Sequence, residues 1–166
     1  MTIKLSHYQP EWPELFEKEK SFLINKVGKY LEGSIEHVGS TSVKNMIAKP
    51  IIDIMFGVKS LEHSKGAIGI LKDNGYCHYP YKEDVMHWFC KPSPEIRTHH
   101  LHLVPYESSL WRERINFRDL LRSNIDIAKE YSDLKANLAK EYGSDREEYT
   151  KQKWPFIQKV LNNDRC

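Results

Sequence analysis

The sequence predicts an α/β (α+β) protein, a mixed sheet flanked by helices and followed by a carboxy-terminal helical subdomain. Three observations carry that expectation. Apolar residues recur three and four apart near the start; short apolar runs bounded by Gly, Pro and Ser occupy the middle; helical spacing returns from Ser108 to Asn162. A chain of 166 residues suits one core with a helical appendage. We expect an α/β core over 1–106 and a helical subdomain over 107–166, packed together as a single unit.

Pro10 and Pro13 announce the first helix, whose apolar positions include Leu15, Phe16, Phe22 and Leu23. Ile35-Glu36-His37-Val38 reads as a strand ending in Gly39-Ser40-Thr41-Ser42, a tight loop of small and hydroxyl residues. A second strand is expected from Pro50 to Val58. It is apolar on both faces and should be central in the sheet, with Asp53 as its lone carboxylate. Leu61, Lys65, Ile68 and Leu71 mark a helix that stops at Asn74-Gly75. Tyr76 to Tyr81, Val85 to Lys91 and Arg97 to Val104 then form a plausible antiparallel set. In the helical region Ser144-x-x-Glu147 reads as a capping box opening the last helix, which Pro155 should kink.

Composition excludes several classes of function. Lys and Arg number 25 against 23 Asp and Glu, so a net charge of +2 leaves no electrostatic footprint for nucleic acid. The longest apolar stretch, Ile51 to Val58, is far short of the roughly 20 residues that span a bilayer. The first residues reach Pro and Glu before any apolar run, so a secretory signal is not expected and a cytoplasmic location is. Cys77, Cys90 and Cys166 show no paired spacing, which argues against a disulfide framework or a thiolate zinc site.

Three clusters could carry chemistry. Gly39 to Ser42 supplies backbone N–H groups and three hydroxyls, a combination that suits a phosphate, although Ser/Thr-rich turns are common. Asp53 lies between Ile52 and Ile54, where an ionised carboxylate is costly unless paired; Lys49, Arg97 or a metal could serve. In Thr98-His99-His100-Leu101-His102, alternation puts His100 and His102 on the face of Thr98, while His99 joins Leu101 and Leu103. If the Asp53 strand is a neighbour, one carboxylate and two imidazoles meet and suit a divalent metal.

The segments IEHVGSTSV, AKPIIDIMFGV, THHLHLV, NFRDLLR and YSDLKANLAKEY…YTKQKWPFI resemble, in that order, the motifs of the GrpB family. The likeness runs from near Tyr8 to about Leu161. That family is similar to the nucleotidyltransferase superfamily, and the resemblance implies a Gly-Ser turn that holds triphosphate and strand carboxylates that hold magnesium. Gly39-Ser40 would be that turn, and Asp53 the first carboxylate. The second carboxylate position is Met55, which cannot bind a hard cation, and no third is evident; His100 or His102 would stand in.

On this basis Asp53, His100 and His102 are the expected catalytic and metal-holding residues, for Mg or Mn and possibly Zn. Gly39, Ser40, Thr41, Ser42, Lys49, Arg97 and Arg118 are the expected phosphate-binding set. Arg122 could add positive charge. Arg118, Asp119 and Arg122 are also spaced for pairing on a helix surface, and Lys135 and Lys153 read as solvated helix residues. The expected partner is a nucleotide or another small phosphorylated substrate, with no nucleic acid and no membrane. Three functions are consistent: nucleotidyl transfer from a nucleoside triphosphate to a small acceptor, non-catalytic binding of a nucleotide or coenzyme-A precursor, which Met55 favours, and metal-dependent hydrolysis of phosphate esters.

Overall fold

The computed structural model describes residues 2–164, so the expectation for Cys166 lies outside the described residues. Pro10 caps α1 (Glu11–Val27), which buries Trp12, Phe16, Leu23 and Val27 along one stripe. β1 (Leu31–Val38) starts earlier than expected. Gly33 sits inside it at φ 73, where pairing with the next strand shifts register, so the glycine marks an irregularity and not the strand's start. A single 3-10 turn at Ser40–Ser42 follows.

β2 (Ile52–Val58) begins two residues later than Pro50. It is central, antiparallel to β1 and parallel to β5 (Arg97–Pro105). Between them lie α2 (Lys65–Asp73), the short β3 (Cys77–Tyr79) and β4 (His87–Pro92). β4 is antiparallel to both of its neighbours, β3 and β5, and the sheet order is β1-β2-β5-β4-β3. A parallel pair needs a long crossover, and α2 with β3 and β4 supplies it.

The alternation of β2 divides the core. Ile52, Ile54, Phe56 and Val58 pack with Leu101 and Leu103 beneath α1 and α2. Met55 faces the other way, into a smaller cluster with Val38, Met86, Trp88, Val104 and Trp111. On that second face α3 (Ser109–Ser123) packs against β1 and β5, and α4 (Ile125–Glu141) and α5 (Arg146–Asp164) pack on α3 and on each other. Phe117, Leu121, Tyr131 and Phe156 hold the three helices together and onto Val43 and Met46. The cap of α5 is Asp145, whose Oδ1 accepts the Glu148 N–H at 3.0 Å, and not Ser144. Pro155 lies inside α5, which continues to Asp164. Among the described residues no helix is long and apolar enough to cross a membrane.

Candidate functional site

Strand register builds the site in two rows across the face on which α3 packs. Val38, Asp53, His100 and Cys90 stand side by side on β1, β2, β5 and β4; Glu36, Met55, His102 and Trp88 form the next row. The parallel pairing sets Asp53 directly beside His100, so two residues 47 apart in sequence become neighbours. His99, one position over, faces the opposite layer and lies 3.9 Å from Glu19 of α1.

Asp53 Oδ1 is 3.1 Å from His100 Nδ1 and 3.6 Å from His102 Nε2. Neither Lys49 nor Arg97 pairs with it. Burial pushes the Asp53 carboxyl up, but hydrogen bonds from His100 and His102 outweigh burial and hold it well below the usual carboxylate range. His102 is pushed down to about 4, first by burial and then by Arg114, and is neutral at pH 7. Its Nδ1 lies 3.0 Å from Arg114 Nη1. A guanidinium only donates, so Nδ1 accepts and the ring proton sits on Nε2, facing Asp53. His100 Nε2 is buried and, among the described residues, has no hydrogen-bond partner.

Asp53, His100 and His102 together form a group that could hold a divalent metal, with one donor atom from each lying within 4.8 Å of the others. Donors about 2.1 Å from a tetrahedral ion sit roughly 3.4 Å apart, and the two spacings to Asp53 bracket that value. In that arrangement His100 ligates through Nδ1, and its Nε2 is the ring nitrogen left without a partner. The Arg114 donor on His102 means that a metal bound at Nε2 must displace a proton there.

Gly39 is what lets the turn close on this group. At φ 74 it adopts a conformation open to glycine, and a Cβ on it would lie 2.5 Å from Asp53 Oδ2. Within the turn the hydroxyls divide their work. Thr41 Oγ1 donates to Ile51 O at 3.1 Å and accepts from His37 Nε2 at 2.9 Å, while Ser42 Oγ donates to Gly39 O. Both side chains therefore hold the turn itself. Ser40 points instead towards α4, where Lys135 Nζ donates to its Oγ at 2.7 Å and also to Ile47 O.

Lys135 is only 2% exposed, which overturns its reading as a solvated helix residue. Burial, then Lys153 and Lys49, push it down to about 6. Lys153 is likewise lowered, mainly by burial, and is not a freely solvated group. Lys49 is pushed down to about 8 by burial and then Lys153. Arg118 does pair with Asp119, at 3.0 Å, as a helix-surface residue would. It is nonetheless buried: Nη1 donates to His37 O and lies 3.5 Å from Glu36, while Arg122 Nε donates to Ser42 O. These two arginines clamp β1 and the turn to α3. Arg97 stacks 5.3 Å over Trp88, whose ring is 5.1 Å from that of His100.

The sequence held one overlooked signal for the buried cations. Lys135 falls on the stripe Tyr131, Lys135, Leu138 of α4, and Arg118 on the stripe Trp111, Arg118, Leu121 of α3. A cation on an apolar stripe is buried when the stripe docks.

The family described as GrpB protein matches residues 2–163. The chain belongs to the GrpB family. It is 39% identical over 165 residues to the Glutamate-rich protein GrpB of Alkalihalophilus pseudofirmus, covering 96% of this chain and 94% of that protein. The UPF0157 protein YqkA of Bacillus subtilis is 32% identical over 97% of this chain, which spans 47% of that relative's length. The crystal structure of GrpB from Enterococcus faecalis superposes with a TM-score of 0.86 at 29% identity, covering 98% of this chain and all of that one. The mixed sheet and its carboxy-terminal helices are thus a GrpB architecture.

Proposed function

We propose that this GrpB-family protein transfers a nucleotidyl group from a nucleoside triphosphate to a small acceptor, assisted by a divalent metal. One observation carries the reading. The Asp53, His100 and His102 donors adjoin a glycine-closed turn, the buried amine of Lys135 and the half-buried Lys49, Arg114 and Lys153, none of which has a carboxylate partner among the described residues. Positive charge kept from water without a counter-ion is costly, which is why Lys135 is pushed down to about 6, and a polyphosphate would supply the missing negative charge and restore its proton. The resemblance of Gly39-Ser40 and Asp53 to the superfamily's turn and first carboxylate adds support.

In this reading the Gly39 to Ser42 backbone, Ser40, Lys135 and Lys153 receive the phosphates, and Asp53, His100 and His102 hold the metal. The metal, when bound, would withdraw charge from the α-phosphate. An acceptor oxygen forms a bond to the α-phosphorus as the bond to the bridging oxygen breaks, and pyrophosphate leaves. The acceptor's proton passes to solvent or to the ring nitrogen left free on His100. Arg114 steers the His102 proton, and Lys135, protonated as the anion arrives, neutralises charge on the departing group. A nucleoside triphosphate substrate goes with a cytoplasmic setting.

Met55 favours a second reading, a binding module for a nucleotide or coenzyme-A precursor without catalysis. It is fully buried among apolar side chains, so its position is a core position. Thermal shift with the nucleoside triphosphates and coenzyme-A precursors, each with Mg, Mn or Zn, tests both readings. A ligand at 100 times its Kd should stabilise by about 2.7 kcal/mol. Stabilisation with metal-dependent pyrophosphate release supports transfer; stabilisation without release in any acceptor mixture supports the module. No response to any triphosphate overturns the first reading.

A further inference from the structure

At the end of the sheet where β2 and β5 begin, the chain encloses a groove of about 370 Å³, within the range of small-ligand sites. Its charged lining is Lys4, Lys49, Arg97 and Arg146, against Glu95 alone. Among the described residues none of these four cations forms an ion pair with a carboxylate. Arg97 spends its Nε on Pro94 O at 2.9 Å, which leaves the two terminal nitrogens of its guanidinium for a ligand.

The groove adjoins the donor group. Arg97 covers Trp88, and Trp88 lines His100. Lys49 lies 5.0 Å from the Tyr149 ring and Lys153 4.8 Å from the same ring, so Tyr149 links groove and phosphate-facing cations. The cations also repel one another. Arg146 is held below its ordinary range by burial and then by Arg97, and Lys49 is lowered further by both arginines. A cleft lined by one sign of charge concentrates counter-ions of the other.

We infer that this groove receives the acceptor of the proposed transfer, and that the acceptor is a small anion whose carboxylate or phosphate is held by Arg97 and Arg146. The inference rests on the transfer reading for the word acceptor, and on the groove alone for the anion. Planar guanidiniums grip either group through paired hydrogen bonds, which a lysine does not reproduce. The volume sets an upper size. At the ~30 Å³ that one water takes up in the liquid, the groove holds roughly a dozen non-hydrogen atoms.

The test is titration of the ¹⁵N-labelled full chain with inorganic phosphate and, separately, succinate, at ionic strength held constant with chloride. Amide shifts are expected at Ile96, Arg97 and Arg146, with affinity falling at least tenfold in Arg146→Gln and in Arg97→Gln and partly restored in Arg146→Lys. Tighter phosphate binding identifies a phosphoryl acceptor, and tighter succinate binding a carboxylate one. Shifts confined to Gly39 to Ser42, or groove shifts unchanged in both glutamine variants, overturn the inference. Manganese binding to Arg146→Gln, followed by electron paramagnetic resonance, should match the parent. A parent that takes up neither manganese nor any triphosphate but still binds phosphate at Arg146 overturns the transfer reading and leaves the anion site. A parent that binds manganese and triphosphate but no anion in the groove overturns the anion site alone.

Discussion

Lys135 Nζ donates to Ser40 Oγ across 2.7 Å, so a helix of the carboxy-terminal region is hydrogen-bonded to the turn that follows β1. The bond joins residues 95 apart in sequence and places a buried amine behind the turn. Any anion seated on the turn meets this amine, which makes Lys135 the first residue to test.

Lys135 titrates near 6 in the folded chain against an ordinary lysine value of 10.5. Between those values the unfolded chain holds a proton that the folded chain lacks, so this group's contribution to stability rises with pH and is lowest below about 6. The slope is at most about 1.4 kcal/mol per pH unit. Lys135→Met should remove it. Urea unfolding at pH 6, 7.5 and 9 should show the parent gaining on the variant as pH rises, and a constant gap would contradict the buried amine.

Asp53→Asn keeps shape and removes the charge that the two histidines face. Its neighbours Lys49 and Arg97 are not paired with it, so the fold should survive. Divalent-metal affinity should fall at least ~tenfold, measured calorimetrically with manganese and zinc. A metal at His102 Nε2 moves the ring proton to Nδ1, which turns Arg114 away, so metal binding should also break the Arg114–His102 contact.

Gly39→Ala forces a Cβ to within 2.5 Å of Asp53 Oδ2, at a backbone conformation that an L side chain resists. The strain should cost about 1–3 kcal/mol in urea unfolding. Because Asp53 must move to make room, metal affinity should fall along with stability. Retained affinity would mean that the turn and Asp53 are not mechanically linked.

By the superfamily pattern, Met55→Asp would complete a carboxylate pair and strengthen magnesium binding. The structure argues otherwise for this chain. Met55 is fully buried between Val38, Met86, Trp88, Val104 and Trp111, and a carboxylate there should destabilise by about 3 kcal/mol or more. Thermal unfolding of the variant, with and without magnesium, decides the matter; a folded variant with tighter magnesium binding would restore the two-carboxylate geometry.

Period-two alternation is a local property of a strand, which is why the sequence by itself determined that His100 and His102 share a face and His99 does not. The same local logic determined the glycine-led turn after β1 and the doubly apolar, central character of β2. What only the tertiary structure decided is which groups meet. Asp53 had Lys49, Arg97 or a metal as candidate partners; the parallel register of β2 against β5 sets His100 and His102 beside it, in a group that could hold a metal, and pairs it with neither Lys49 nor Arg97. Lys135 and Arg118 carry ordinary helix-surface residue types. Their burial follows from α4 docking on the turn after β1 and α3 on β1 itself, and that docking removes the water that would otherwise solvate their charge. Residue type and spacing specify a side chain's face; the solvent it loses, and hence its charge state, depend on elements that arrive from far along the chain.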